Sequence, residues 1–300
     1  MKIVQCNQLT KIFGKHKALD NLSFSISEQK ITGLIGRNGA GKTTLLKILA
    51  GFHHKSAGDI KVLGEQPFNN LKVAANMIFV DDKMTFPAAL RLGDIIESAS
   101  KFYPNWDDGL AIGLFDYFGL NADQSHQNLS KGMKSTFNLI IGIASRCPLT
   151  ILDEPTTGMD AAVRKDFYRA MLKDYLAHPR TMILSSHLLN EIEDLIEDVL
   201  LIREGQLCLH MPVDELKEYA VGLTGSSQQL EVYLGGRDTF YRETIGTDTT
   251  YVVVYNNLTE AELAKLKSEG IKISAVSTND ICVYLTQKNK GGIDDVFNRS

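Results

Sequence analysis

The sequence predicts an α/β protein: a mostly parallel sheet covered on both faces, led by an antiparallel β layer, interrupted by a helical subdomain and followed by a small α/β domain. Three observations predict it. From residue 149 onward, short apolar strands alternate with helical stretches. Upstream, a glycine-rich loop joins an apolar run at 31–35 to an apolar-periodic run at 44–50. Between these regions, over about residues 90–146, the periodicity turns helical. At 300 residues the chain accommodates one large domain and a small second one.

Taken in order, residues 2–7 and 22–26 show the apolar alternation of strands, with Phe13-Gly14-Lys15 as a turn between them. Residues 59–63 form a further short strand bounded by glycines, and 77–80 an apolar run of buried-strand length. Leu92, Ile95, Ile96 and Ala99 share one helical face; Leu110, Ile112, Leu114, Phe115 and Phe118 repeat the theme up to about residue 119. Tyr103-Pro104-Asn105-Trp106-Asp107 separates the two helices, with Asp107 as an N-cap. Ser130 begins another helix that ends near Arg146, before Pro148. Then come strand 149–152, helix 160–177, strand 181–184, helix 188–196 and strand 199–202, with a hairpin turn at 203–206 leading into 207–210. Residues 221–229 shift to small and polar types and read as a linker. Beyond them, 230–234 and 251–255 read as strands, 260–268 as a helix capped by Thr259, and 281–285 as a last strand.

Composition excludes several classes. Charged residues at 23% and hydrophobic residues at 44% are ordinary for a globular protein, and a net charge of -4 argues against nucleic acid as a partner. Cys6, Cys147, Cys208 and Cys282 lie far apart with no C-x-x-C pair, so they read as thiols in a reducing compartment. No window reaches the ~18 apolar residues of a membrane span, so any membrane role is expected to come through a partner.

The chemistry starts at Gly36-Arg37-Asn38-Gly39-Ala40-Gly41-Lys42-Thr43, which fits G-x-x-x-x-G-K-[ST], a P-loop. Its glycines let backbone N–H groups turn inward around phosphate oxygens, and the helix that starts near Lys42 aims its positive end at the same anion. Lys42 is suited to the β- and γ-phosphates, and the Thr43 hydroxyl to Mg²⁺. The binding stretch is expected to run through Thr44. Leu149-Thr150-Ile151-Leu152-Asp153-Glu154-Pro155 delivers two adjacent carboxylates at a strand's carboxyl end, where ligands sit in open α/β sheets. Asp153 is suited to hold Mg²⁺, and Glu154 to polarise the attacking water. His187 ends the next strand, where a neutral imidazole can donate to a phosphoryl oxygen.

These motifs, with Leu129-Ser130-Lys131-Gly132-Met133 and Gly158-Met159-Asp160, stand in the order found in ABC-type ATPases. Over residues 1–212 the chain resembles the nucleotide-binding subunit of an ABC transporter, similar to exporter-type ATPases of Gram-positive bacteria. The resemblance implies a P-loop fold of ABC type, with the helical insertion at about 90–146, a connecting segment at 213–229 and an accessory α/β domain at 230–300. It implies that Phe13 stacks on adenine, that Ser130 and Gly132 grip the γ-phosphate bound by a second subunit, and that Asp160 links the two sites. It further implies ATP and Mg²⁺ as cofactors and ATP-driven dimerisation, as a homodimer or paralogous heterodimer. The chain would be cytoplasmic, peripheral on the inner face of the cell membrane through a separate integral membrane permease, which would meet the helices between about residues 92 and 119. Two positions depart from the family. Lys131 and Met133 replace a glycine and a glutamine of the usual Leu-Ser-Gly-Gly-Gln. Asp82 stands where a glutamine is usual; its carboxylate can hold Mg²⁺ but cannot donate a hydrogen bond. Neither change implies loss of hydrolysis, because Lys42, Asp153, Glu154 and His187 are all present. The alternative readings are an ABC ATPase that acts on ribosomes or DNA, and a weakly hydrolysing nucleotide-sensing module.

Overall fold

The structure, a computed structural model, describes residues 1–287, so the end of the accessory domain at 288–300 lies outside the described residues. The chain divides into two units, Met1–Val213 and Asp214–Ser300. The first opens with β1 (Lys2–Phe13), β2 (His16–Ser27), β3 (Ile31–Ile35) and α1 (Lys42–Leu49), then β4 (Ala57–Val62), α2 (Leu71–Ala75) and β5 (Met77–Val80). The helical region follows as α3 (Leu92–Phe102), α4 (Asp108–Tyr117) and α5 (Lys131–Ala144). Next come β6 (Leu149–Asp153), α6 (Ala161–Ala177), β7 (Thr181–Ser186), β8 (Asp198–Arg203) and β9 (Gln206–Pro212).

Six of these strands form one sheet in the order β5-β6-β7-β3-β8-β9. All its pairs are parallel except β8 with β9. Its central strands β3, β6 and β7 are buried along their whole length, as continuous apolar runs covered on both faces must be. The antiparallel layer is separate, in the order β2-β1-β4. Between the two sheets lies one apolar core, to which β1 and β2 bring Val4, Leu9, Leu22 and Ile26, α1 brings Leu45, Leu46 and Leu49, and the large sheet brings Leu34 and Ile151. Helix α1 is thereby clamped from both sides, and the loop that precedes it is held at the sheet's carboxyl edge.

Caps fall where the residue types demand them. Asp107 accepts from the Leu110 N–H at 2.7 Å, and Asp160 accepts from Ala162 and Val163 at 2.9 Å each. Helix α5 is buried from Ser135 to Ala144. Beyond its C-terminus, Arg146 and Arg180 converge on the buried Asp174 of α6 at 2.7 and 2.8 Å, and Arg146 also reaches Asp107 at 2.8 Å, so two cations are balanced by two carboxylates. Just before α5, His126 is buried with its Nε2 2.9 Å from the Asn138 amide oxygen and Phe86 edge-on at 5.1 Å.

Burial holds the His126 pKa below the ordinary value of 6.5, because the apolar surroundings disfavour the charged ring. The unfolded chain takes up the proton at that ordinary value while the folded ring resists it. His126 thus contributes stability that is full above about pH 7 and is lost as pH falls through 6.5, at a slope of at most about 1.4 kcal/mol per pH unit for one proton. Burial acts on His210 with the same sign. Thermal melts between pH 7.5 and 5.5 should show a falling Tm. The fall should be shallower in His126→Gln, which keeps a donor for Asn138; an unchanged slope would remove His126 from the effect.

Three expectations are corrected in this unit and the next. The helix read at 188–196 is two 3₁₀ turns, Leu189–Glu191 and Glu193–Leu195. Its buried residues Leu189, Ile192 and Leu195 repeat every third position, which suits a 3₁₀ turn better than an α-helix. The segment read as a linker at 221–229 is largely a strand. The second unit is entered through α7 (Val213–Lys217) and built from β10 (Ala220–Ser226), α8 (Ser227–Leu234), β11 (Thr239–Ile245), β12 (Thr249–Tyr255), α9 (Glu260–Ser268), β13 (Lys272–Ala275) and α10 (Thr278–Thr286). Its antiparallel sheet runs β11-β12-β10-β13, a β-α-β-β-α-β arrangement of ferredoxin-like type. The small residues of β10 serve packing, not flexibility: Gly222 lies against the Tyr251 ring and the Ser274 hydroxyl, where a Cβ would meet them at 2.7–2.8 Å. The strands read at 230–234 and 281–285 are instead helices α8 and α10. Ser226 and Ser277 cap them, and Leu230 with Leu234 is buried at helical spacing.

Candidate active site

The loop between β3 and α1 opens on a cavity of about 310 Å³ lined by Phe13, His16, Ala18, Arg37 to Thr44 and Glu154. Gly41 caps α1 at φ 106° with no side-chain acceptor, and the first turn holds no acidic residue. The opening N–H groups of this helix are therefore unclaimed by any side chain, the condition under which a helix start takes an anion. Lys42 is 5% exposed; its Nζ donates to the Gly36 carbonyl at 2.7 Å and lies 3.1 Å from Glu154 Oε1. Glu154 Oε2 is in turn 3.5 Å from His187 Nδ1. One carboxylate thus bridges the buried lysine and the imidazole.

Asp153 is buried at the end of β6, and Glu154 follows it at φ 44°, in the left-handed region. Ser185, opposite Asp153 in the parallel register, donates to Asp153 Oδ1 at 2.6 Å and accepts the Glu154 N–H at 2.9 Å. A buried carboxylate oxygen and the Thr43 hydroxyl are hard oxygen donors, a set that fits Mg²⁺. Asp82 has another engagement. Its Oδ2 lies 3.9 Å from Lys131 Nζ, whereas the neighbouring Asp81 lies 3.8 Å from Lys47 of α1.

At the cavity's outer edge Phe13 is 43% exposed, as a ring that offers its face must be. His53 braces it edge-on at 5.7 Å, and Lys11 Nζ stands 4.7 Å from the ring centroid. Lys11 stands two residues before Phe13 on the same strand, whereas the meeting with His53 joins β1 to the segment after α1, far apart in the chain.

Ser130, Gly132 and Asp160 do not line the cavity; they gather elsewhere on the same unit. The Ser130 hydroxyl caps α5 by accepting the Met133 N–H at 3.3 Å. Gly132 packs against the loop before Asp160 so closely that a Cβ would come 2.7 Å from the Gly158 carbonyl oxygen. Ser135 donates to the Thr157 carbonyl at 2.9 Å, and Thr157 donates to the Glu154 carbonyl at 2.8 Å. The start of α5 is thereby tied through one loop to the carboxylate in the cavity.

The ABC transporter family model matches residues 19–157. The chain is 33% identical over 221 residues to the bacitracin transport ATP-binding protein BcrA of Bacillus licheniformis, across 72% of each chain. It is 29% identical over 216 residues to the ABC transporter ATP-binding protein YtrB of Bacillus subtilis (strain 168), across 72% of this chain and 74% of that one. Among solved structures, an ATP-binding subunit of an ABC transporter superposes with a TM-score of 0.64 at 21% identity, over 72% of this chain and 92% of the other. Members of the family hydrolyse ATP and work with membrane permease components, and among the described residues no helix is long and apolar enough to cross a membrane. With 33% identity across 72% of its length to such a protein, the chain belongs to the ATP-binding proteins of ABC transporters.

Proposed function

We propose that this protein is the ATPase of an exporter, that two copies or a copy and a paralogue close on ATP, and that Lys42, Glu154 and His187 act on the γ-phosphate. One observation carries the reading. Phe13, the phosphate loop and Glu154 share an open cavity, while Ser130, Gly132 and Asp160 lie outside it, which supports their meeting the nucleotide of another copy. Phe13 stacks on the base and the backbone from Gly36 to Thr44 cradles the phosphates. Lys42, freed from Glu154, pairs with the terminal phosphates. Glu154 then accepts a proton from the attacking water, and His187 holds both that carboxylate and the phosphoryl oxygen in line. Thr43, Asp153 and Asp82 would hold Mg²⁺, which when bound would supply charge neutralisation to the phosphates. Outward transport is supported by the likeness, at 28% identity over 225 residues, to the SkfA peptide export ATP-binding protein SkfE of Bacillus subtilis (strain 168). The acidic net charge weighs against the ribosome or DNA reading.

Sedimentation tests the closed dimer. The Glu154→Gln protein should sediment as a dimer with Mg²⁺ and ATP and as a monomer with ADP. Ser130→Arg in the same background should remain a monomer under both conditions. A monomer with ATP at ~100 μM protein, well above the range of specific interfaces, overturns the shared-site reading.

A further inference from the structure

We infer that Ser185 is a positioning residue for hydrolysis: one buried hydroxyl sets the direction of both catalytic-edge carboxylates. The inference rests on the reading of Asp153 as metal ligand and Glu154 as base. Ser185 is 1% exposed on β7, between β6 on one side and β3 on the other. Its register partners are Asp153 and Leu34, the latter two residues before the phosphate loop. A serine hydroxyl has one proton to give and lone pairs to receive. The Glu154 N–H can only donate, so at 2.9 Å the Ser185 oxygen accepts from it. That leaves the hydroxyl proton for Asp153 Oδ1 at 2.6 Å, the length of a charge-assisted bond. Nothing in this assignment depends on where a hydrogen is placed.

The two bonds do different work. The first engages one oxygen of Asp153 and so turns the other toward the metal position. The second holds the Glu154 backbone at φ 44°, a left-handed conformation in which a Cβ crowds the following carbonyl oxygen. Released from the Ser185 oxygen, Glu154 relaxes toward negative φ, and its carboxylate swings out of the line between Lys42 and His187. The adjoining hydroxyl, Ser186, cannot substitute, because it is engaged with the Leu188 backbone at 2.9 and 3.0 Å.

The test compares Ser185→Ala, Ser185→Thr and Glu154→Gln in the purified full chain, with ATP and Mg²⁺ as the probes. Ser185→Ala should lower kcat about 10- to 100-fold, the cost of a base displaced by about an ångström, while KM for ATP moves less than about threefold. Its ATP binding without Mg²⁺ should match the parent within about twofold, whereas the tightening of ATP by added Mg²⁺ should shrink, a readout that needs no turnover. Ser185→Thr, which keeps the hydroxyl, should recover most of the lost kcat. Turnover intact in Ser185→Ala but lost in Glu154→Gln overturns the role of Ser185 alone. Equal loss in the Ala and Thr variants also overturns it, since the hydroxyl would then not be the cause. Turnover that survives in Glu154→Gln removes the base assignment itself.

Discussion

Glu154→Gln protein is expected to release phosphate at least about a hundredfold more slowly than the parent, the usual worth of a general base, while it binds ATP as tightly or more tightly. The amide keeps the shape and can still meet the His187 ring, but it cannot take a proton from water. Binding should not weaken, because Glu154 Oε1 is the partner that Lys42 gives up when a phosphate arrives. With the carboxylate's charge gone, that competition ends and Lys42 is left with its Gly36 carbonyl contact and a call for an anion. Phosphate release within about threefold of the parent would sink the assignment of Glu154 as base.

Lys42→Ala should fail differently. The lysine sits in a nearly closed slot beneath the loop, so its removal deletes the one buried cation of the cavity lining. ATP affinity should fall about 10- to 100-fold and turnover about 10²- to 10³-fold, as when a preorganised donor to a reacting phosphate is removed. The glutamate variant should thus lose kcat with KM steady or lower, and the lysine variant should lose both. Arginine is no substitute, because its planar fork cannot enter the slot that the Gly36 carbonyl closes. A lysine variant that retains parental ATP affinity by fluorescence titration would mean that the loop backbone alone holds the nucleotide.

The parts of this architecture that were readable in the sequence are the parts whose signal is local. Strand, loop and helix around Gly36 to Thr43 occupy one continuous stretch, and Asp153 with Glu154 stands at the end of a short, mainly apolar run. What sequence could not show depends on neighbours distant in the chain: the Lys42–Glu154 pair, the ring contacts of Phe13, and the two-sided hydroxyl of Ser185. The second unit was harder because its elements are short. Helices α8 and α10 carry too few turns for periodicity to separate them from strands, and their serine caps looked like loop composition. Strand β11, with Arg242 and Glu243 in an exposed edge, has no apolar face to announce it.

The contact of Gly132 with the Gly158 carbonyl bears on how this motor loses function through mutation. Any side chain at position 132 must push α5 off the loop that runs back through Thr157 to Glu154, within a single copy and with no nucleotide involved. Substitution at this glycine therefore reaches Glu154 of the substituted copy itself. In the proposed dimer such a defect would fall on both nucleotides, whereas a change at the solvent-facing Ser130 would follow only the opposite one.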